Sequence, residues 1–338
     1  DFGAFRLCGR PASSSLAYFQ SFPPDEIRAA DLPESLFPST IEAGQQIDGL
    51  TIAAGVDTSL PVGLPVVAGV HDGIATFIGA GLVNPGRAAD VNGTSGGLAL
   101  CWNDRIDKPG IFSASWIHPD EYIVGGAMAT LGKCLEWVRD VTGASKLGYR
   151  DLIAEANVAP PGAHGLVFLP YLAGERAPIW DPLARGVFFG LTLNHQRGHL
   201  VRSVLESVAF ALRHVAEELV DAGAQIDEVR VCGRQALSEP WNRIKADVMG
   251  LPVALPRVRE AALMGAAVLA GVGAGQLPNI TKGADQMVRV DGILEPDWNR
   301  HRLYTEQFGV YKRLYPDLRD AFRQLSEITQ AGTDDCAS

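Results

Sequence analysis

The chain predicts an α/β fold, on three observations. Short apolar runs alternate with helical patterns through its C-terminal half. One helical pattern is long and regular: over 197–222, Leu200, Val201, Val204, Leu205, Val208, Leu212, Val215 and Leu219 recur at helical spacing, with charges between them. Apolar residues make up 47% of the 338 residues and charged residues 20%, enough for ordinary buried cores. That length suits two domains of about 150 residues each.

Residues 1–65 are broken repeatedly by Pro23-Pro24-Asp25, Pro33 and Phe37-Pro38-Ser39. Gly63 to Gly69 reads as a short buried strand, and Gly73 to Gly81 as a helix of small residues. Several strands are expected over 87–126, among them Ala89-Asp90-Val91 and Gly97-Leu98-Ala99-Leu100. Residues 131–142 and 149–156 suggest helices. After the 197–222 helix, with its charges expected on the solvent face and Gly223 as a C-terminal cap, come strand Glu228–Val231, helix 240–249 and strand Pro252–Leu255. Helix 260–273 is almost wholly Ala, Gly, Leu and Val and is expected to be buried. The tail after Gln330 is expected to be disordered.

The formal net charge of -10 argues against a nucleic-acid partner, because phosphate contacts need clustered Lys and Arg. It does not exclude ATP, which needs only local donors. No apolar run approaches the roughly 20 residues that span a bilayer, and the chain does not open on a charged-then-apolar leader. Cys8, Cys101, Cys134, Cys232 and Cys336 form no C-x-x-C pair and are odd in number. They read as thiols in a reducing compartment, so a cytoplasmic location away from membranes is expected.

Four segments could carry chemistry. Asp72 follows the strand-like run ending at Gly69. It is either the N-cap of the next helix or a base that takes a proton from a substrate hydroxyl. Asn92-Gly93-Thr94-Ser95-Gly96-Gly97 is either a plain hairpin turn or a loop whose backbone N–H groups cradle phosphate. It is not a Walker A loop, since no Gly-Lys-Ser/Thr follows the glycines. Gly132 to Asp140 reads as a surface helix with Trp137 turned to the core. Cys232-Gly233-Arg234-Gln235-Ala236-Leu237-Ser238 links a strand to a helix.

Gly186-Val187-Phe188-Phe189-Gly190-Leu191, then seven residues, then His199-Leu200-Val201-Arg202-Ser203-Val204-Leu205-Glu206, resembles the C-terminal signature of the FGGY carbohydrate kinases. Gly69, Asp72 and Gly79 fit that family's G-x-x-D-x-x-x-x-x-x-G pattern. Leu169-Pro170-Tyr171-Leu172-Ala173-Gly174-Glu175-Arg176-Ala177-Pro178 resembles the xylulokinase branch in particular, and Glu260 to Ala267 is another family-like run. The resemblance covers nearly the whole chain to about residue 325.

It implies an actin-like (ribonuclease H-like) ATPase fold. Residues 1–82 are then the end of a first, sugar-binding domain, 83–325 a complete nucleotide-binding domain and 326–338 a tail. It also implies transfer of the γ-phosphoryl group of ATP to a hydroxyl of a ketopentose such as xylulose, or of a related polyol. Asp72 is then the catalytic base and lies near Mg²⁺, while Gly93, Thr94 and Ser95 hold β/γ-phosphates. Gly132, Glu136, Gly233 and Ser238 border the nucleoside. Family members usually carry two or three glycines in a row where this chain has Gly233, Arg234 and Gln235. Arg234 either contacts a phosphate or obstructs the site.

The alternatives are a non-catalytic sugar- or nucleotide-binding relative, or a kinase for glycerol, erythritol or ribulose. A homodimer is compatible with either. Family members begin with a D-x-G-T phosphate hairpin and a sugar-binding segment, neither of which is in this chain. The expectation is the C-terminal portion of a longer protein, or a non-catalytic relative, and the reading frame upstream of Asp1 would discriminate.

Overall fold

A computed structural model describes residues 2–16, 31, 33, 36–92 and 96–334. The described chain opens with α1 (Phe2–Cys8), β1 (Ala12–Ser14), β2 (Ser39–Ile41), β3 (Gln46–Gly49), α2 (Ile52–Thr58) and β4 (Pro65–Val67). Cys8, Ala12, Ile47, Leu50, Ala54, Val66 and Ala68 close a small core among these elements. Then comes α3 (Asp72–Ala80), ended by Gly81 at φ 80°, a left-handed conformation that favours glycine.

The centre of the molecule is a seven-stranded sheet. It is built from β5 (Arg87–Asn92), β6 (Gly96–Trp102), β7 (Phe112–Ser115), β8 (Tyr122–Met128), β11 (Glu228–Cys232), β12 (Val253–Pro256) and β13 (Val290–Leu294), in the order β13-β12-β11-β5-β6-β8-β7. β5 and β6 pair antiparallel, as do β6 and β8, while β11 runs parallel to both β5 and β12. Side chains alternate across a strand, and here both faces are buried. Leu98 and Leu100 enter one core, while Ala99 and Cys101 enter the other.

The first face is covered by α4 (Gly132–Val141), α5 (Tyr149–Val158), α6 (Arg197–Asp221), α7 (Glu239–Met249) and α10 (Trp298–Asp334), with the small pair β9 (Val167–Leu169) and β10 (Val187–Phe189). The second is covered by α3, α8 (Ala261–Gly273) and α9 (Ile280–Met287).

Three expectations change. The polar side of α6 is not a solvent face: Arg202, Glu206 and Arg213 are all buried, because α6 is enclosed by other elements as well as by the sheet. Arg202 Nε donates to Glu206 Oε1 at 2.7 Å, and the Tyr304 hydroxyl and the Gly162 N–H donate to the same oxygen. This network staples α6 to the turn before β9 and to α10. Conversely, α8 buries only one face, through Ala261, Gly265, Val268 and Leu269, and Leu263 is exposed. Its composition carries no periodicity from which a single face could be read. Finally, α10 continues through Gln330 to Asp334, so the expected tail is helical over its first residues. Tyr304, Phe308, Tyr311, Leu314 and Phe322 anchor this helix in the main core at helical spacing.

Candidate functional site

Asp72 is the first residue of α3. The cap is not Asp72 but its neighbour: the His71 ring accepts from the Gly73 N–H at 3.2 Å through Nδ1. Asp72 Oδ1 accepts from the same N–H at 2.8 Å and lies 3.0 Å from His71 Nδ1. The Asp72 side chain is 84% exposed, and Oδ2 takes no partner among the described residues. A carboxylate is favoured at a helix N-terminus, where the backbone dipole is positive. His71 also lines a groove of about 590 Å³ with Leu7, Ile47, Val66, Val70 and Leu269. That lining is mostly apolar, so it offers a polyol few hydrogen bonds.

The helix carrying Asp72 is held by direct backbone approach. A Cβ on Gly79 would stand 1.8 Å from the Ala261 carbonyl oxygen, and one on Gly265 would stand 1.9 Å from the Ala75 carbonyl oxygen. No side chain fits at either point.

The strands that precede the segments expected to hold nucleotide share one direction. β5 and β11 are parallel, and two antiparallel steps make β8 run with them. The C-terminal ends of all three strands therefore lie on the same side of the sheet, where binding sites of α/β sheets are found. Pairing of β5 with β6 extends to Asn92 and Gly96. Gly93, Thr94 and Ser95 lie outside the described residues.

After β8, Gly132 opens α4, whose N-terminus has no side-chain cap. Uncapped backbone N–H groups there suit an anion. Glu136 is on the surface, paired with Lys133 at 2.8 Å, while Trp137 stacks on Phe168 and Phe188 in the core.

After β11, Gly233 has φ 75° and ψ −163°, and its N–H donates to the Arg259 carbonyl at 3.1 Å. Only glycine adopts such a backbone without strain. Arg234 is exposed, with no hydrogen bond or salt bridge to the described residues. Gln235 turns inward and is buried. Ser238 is half-buried and adjoins α7 without capping it through its side chain. No hydrogen bond or salt bridge among the described residues joins Asp72 to this edge. The two are linked through the crossing of α3 and α8.

Glu175, in the xylulokinase-like run, is a clamp on the residues between β8 and α4. Its Oε1 accepts from the Ala129 and Arg176 N–H groups at 2.7 Å each, and Arg176 donates to the Met128 carbonyl at 2.6 Å. Burial pushes its carboxyl up to about 7, against the pull of those N–H groups and of the Arg176 charge. Its Oε2 is buried without a partner among the described residues.

A buried ion pair that the sequence did not signal as a pair lies near this edge: Lys245 Nζ of α7 is 2.6 Å from Asp90 Oδ2 of β5. Burial pushes the ammonium below the usual lysine range, while Asp90 pulls it back. The only signal was an Asp inside the apolar run of β5.

Cys8, Cys101, Cys134 and Cys232 are buried thiols, and Cys336 lies outside the described residues. Burial raises Cys101, Cys134 and Cys232 to about 12, so they are inert at neutral pH.

The donor chemistry fits the groups that the family resemblance implies. An uncapped helix N-terminus, a glycine turn and an Arg without a partner among the described residues share one edge, which suits a nucleotide phosphate chain. Among the described residues no three carboxylate, His or Cys groups cluster to hold a metal. Mg²⁺ commonly binds through one or two carboxylates together with substrate phosphates, and the free oxygen of Asp72 suits that mode.

The sheet topology and the edge it forms define an actin-like (ribonuclease H-like) ATPase fold, shared with solved carbohydrate-kinase structures. The chain belongs to the FGGY family of carbohydrate kinases, and the model of that family's C-terminal domain matches residues 89–274. It is xylulokinase-like within the family. It is 32% identical over 295 residues to the xylulose kinase of Escherichia coli (strain K12), which covers 86% of this chain and 60% of that protein. It is 30% identical to the gluconokinase of Bacillus licheniformis, over 79% of this chain and 53% of that one. The crystal structure of xylulose kinase from Rhodospirillum rubrum superimposes with a TM-score of 0.82 at 30% identity, covering 96% of this chain and 67% of that one. The chain thus spans about 60% of the length of the curated xylulose kinases it matches.

Proposed function

We propose that the chain supplies the nucleotide-binding lobe and the catalytic base of an ATP-dependent sugar kinase acting on a ketopentose such as xylulose. The observation that carries this reading is Asp72, exposed at the start of α3 with one carboxylate oxygen uncommitted. His71 takes the capping duty, so Asp72 is free to accept a proton.

Phosphoryl transfer asks mainly for positioning and charge neutralisation. Asp72 removes the proton of the attacking hydroxyl as the new oxygen–phosphorus bond forms and the bond from the γ-phosphorus to the bridging oxygen of ATP breaks, with ADP leaving. Mg²⁺, when bound with the phosphates, neutralises part of their charge. Gly93, Thr94 and Ser95 receive the β/γ-phosphates in this reading. Gly132, Glu136, Gly233 and Ser238 border the nucleoside, with Arg234 on its phosphate side. In this reading the segment 1–82, with Asp72, and the segment 83–325 approach one another when both substrates are bound. That approach excludes water and so limits hydrolysis of ATP. No described helix is long and apolar enough to cross a membrane.

A second substrate class, an aldonate, is raised by the gluconokinase relative at nearly the same identity. ADP release is to be measured with xylulose, ribulose, glycerol and gluconate, on the protein expressed from its complete gene. Turnover highest with xylulose is expected. ATP binding without turnover on any of the four would favour a binding protein on the same fold.

A further inference from the structure

We propose that Lys245 is a positioning residue for the nucleotide: its buried ammonium, gripped by Asp90 and Gln235, locks the turn after β11 onto the end of β5. The inference rests on the nucleotide reading of this sheet edge given above.

Lys245 is 1% exposed and Asp90 is 0% exposed at the side chain. A lone ammonium in such a place would be prohibitively unfavourable, so its partners are obligatory. Three are present. Asp90 Oδ2 lies 2.6 Å from Nζ, Gln235 Oε1 accepts a short hydrogen bond from Nζ, and the Trp241 ring centroid is 4.5 Å away. Gln235 is itself bolted on both sides: its Nε2 donates to the Asp90 carbonyl at 3.4 Å, and its own carbonyl accepts from Asn242 Nδ2 at 3.1 Å.

The network is not what stability alone would select. Well-packed apolar residues do as well or better in a core. Here Asp90 Oδ1 and Asn242 Oδ1 are buried without partners among the described residues, an uncompensated cost. What it does achieve is geometric. Asp90 is two residues before the end of β5, and Gln235 is two residues after Gly233. The ammonium therefore ties the end of β5 to the turn that leaves its parallel neighbour β11. It also explains the chain's departure from the family's glycine run. Gln235 is turned away from the edge into the core, and Arg234 beside it is left outside.

The test uses the protein from its complete gene and two variants. Asp90→Leu with Lys245→Met removes both charges together, so no buried charge is stranded. Gln235→Gly keeps the ion pair and releases the turn. ATP and sugar affinities, KM and kcat, and thermal midpoints are measured for each. For the double variant we expect a midpoint at or above wild type, an ATP Kd and KM raised at least tenfold, and sugar affinity and kcat within twofold. For Gln235→Gly we expect an ATP Kd raised at least threefold. ATP affinity unchanged in the double variant overturns the proposal and leaves the network purely structural. Should the double variant not fold, unchanged ATP affinity in Gln235→Gly overturns it equally. If the unmodified protein binds no ATP, the kinase reading falls and this proposal falls with it. ATP binding that survives in both variants removes this proposal alone.

Discussion

Gly79 of α3 and Gly265 of α8 sit where two helix backbones touch: a Cβ on Gly79 would lie 2.6 Å from the Gly265 nitrogen and 1.8 Å from the Ala261 carbonyl oxygen. The second glycine of the G-x-x-D-x-x-x-x-x-x-G pattern is thereby explained by packing, and the position of Asp72 depends on it. Gly79→Ala or Gly265→Ala forces the helices apart. Each is expected to destabilise the fold by about 1–3 kcal/mol or more, the range for overpacking. Urea midpoints measure this, and a midpoint equal to wild type would disprove the contact.

Asp72→Asn retains the hydrogen bond from Gly73 and alters an exposed side chain. Stability should stay within about 0.5 kcal/mol, as for surface changes. Turnover should fall by a factor of about 10² to 10⁴, the usual contribution of a general base. Coupled ADP detection checks the rate, and near-wild-type turnover would remove Asp72 from the mechanism.

Arg234→Gly removes an exposed cation that has no partner among the described residues. The melting temperature should not move. ATP binding should weaken by about 1.5–3 kcal/mol, the range for a hydrogen bond to a charged group, while adenosine binding stays the same. Titrations at fixed salt decide it. Tighter ATP binding in the variant would show that Arg234 obstructs the site.

Glu175 should leave a mark on the pH dependence of stability. Its folded carboxyl is raised from 4.5 to about 7 by burial. A raised carboxyl favours the protonated folded state. Its contribution therefore declines as pH climbs from about 4.5 towards 7, and levels off above. The whole effect is at most about 3 kcal/mol. In Glu175→Gln this decline should be absent, so the stability difference between variant and wild type, read from urea midpoints, should change between pH 5 and 8. A constant difference across that range would show that Glu175 does not titrate there.

Arg202→Met strands the buried Glu206 carboxylate. The expected loss is about 3–5 kcal/mol, the cost of breaking a buried pair. Replacing Glu206 by Leu in the same chain should recover much of it. Calorimetry on the single and double variants measures the difference, and no recovery would mean the helix is held by packing alone.

The sequence by itself determined the family, the order of the C-terminal strands and helices, and the place of Asp72 after an apolar strand. Those features are local: apolar periodicity marks α6, and a short motif marks the start of α3. Tertiary structure decided what each polar group does. Asp72 was the cap candidate by residue type, and only the backbone geometry gave the cap to His71. Arg202 and Glu206 were expected on a solvent face and the Asp90–Lys245 pair carried no pairing signal, because burial depends on elements up to 155 residues away. The seemingly featureless α8 buries one face because Gly265 lets α3 approach there, a contact no periodicity encodes. The long α10 was missed although its aromatic residues recur at helical spacing, because only their burial against α6 distinguishes them from a polar tail. Charge and burial are properties of the packed assembly of elements, and the pattern along one segment carries only its half of that contact.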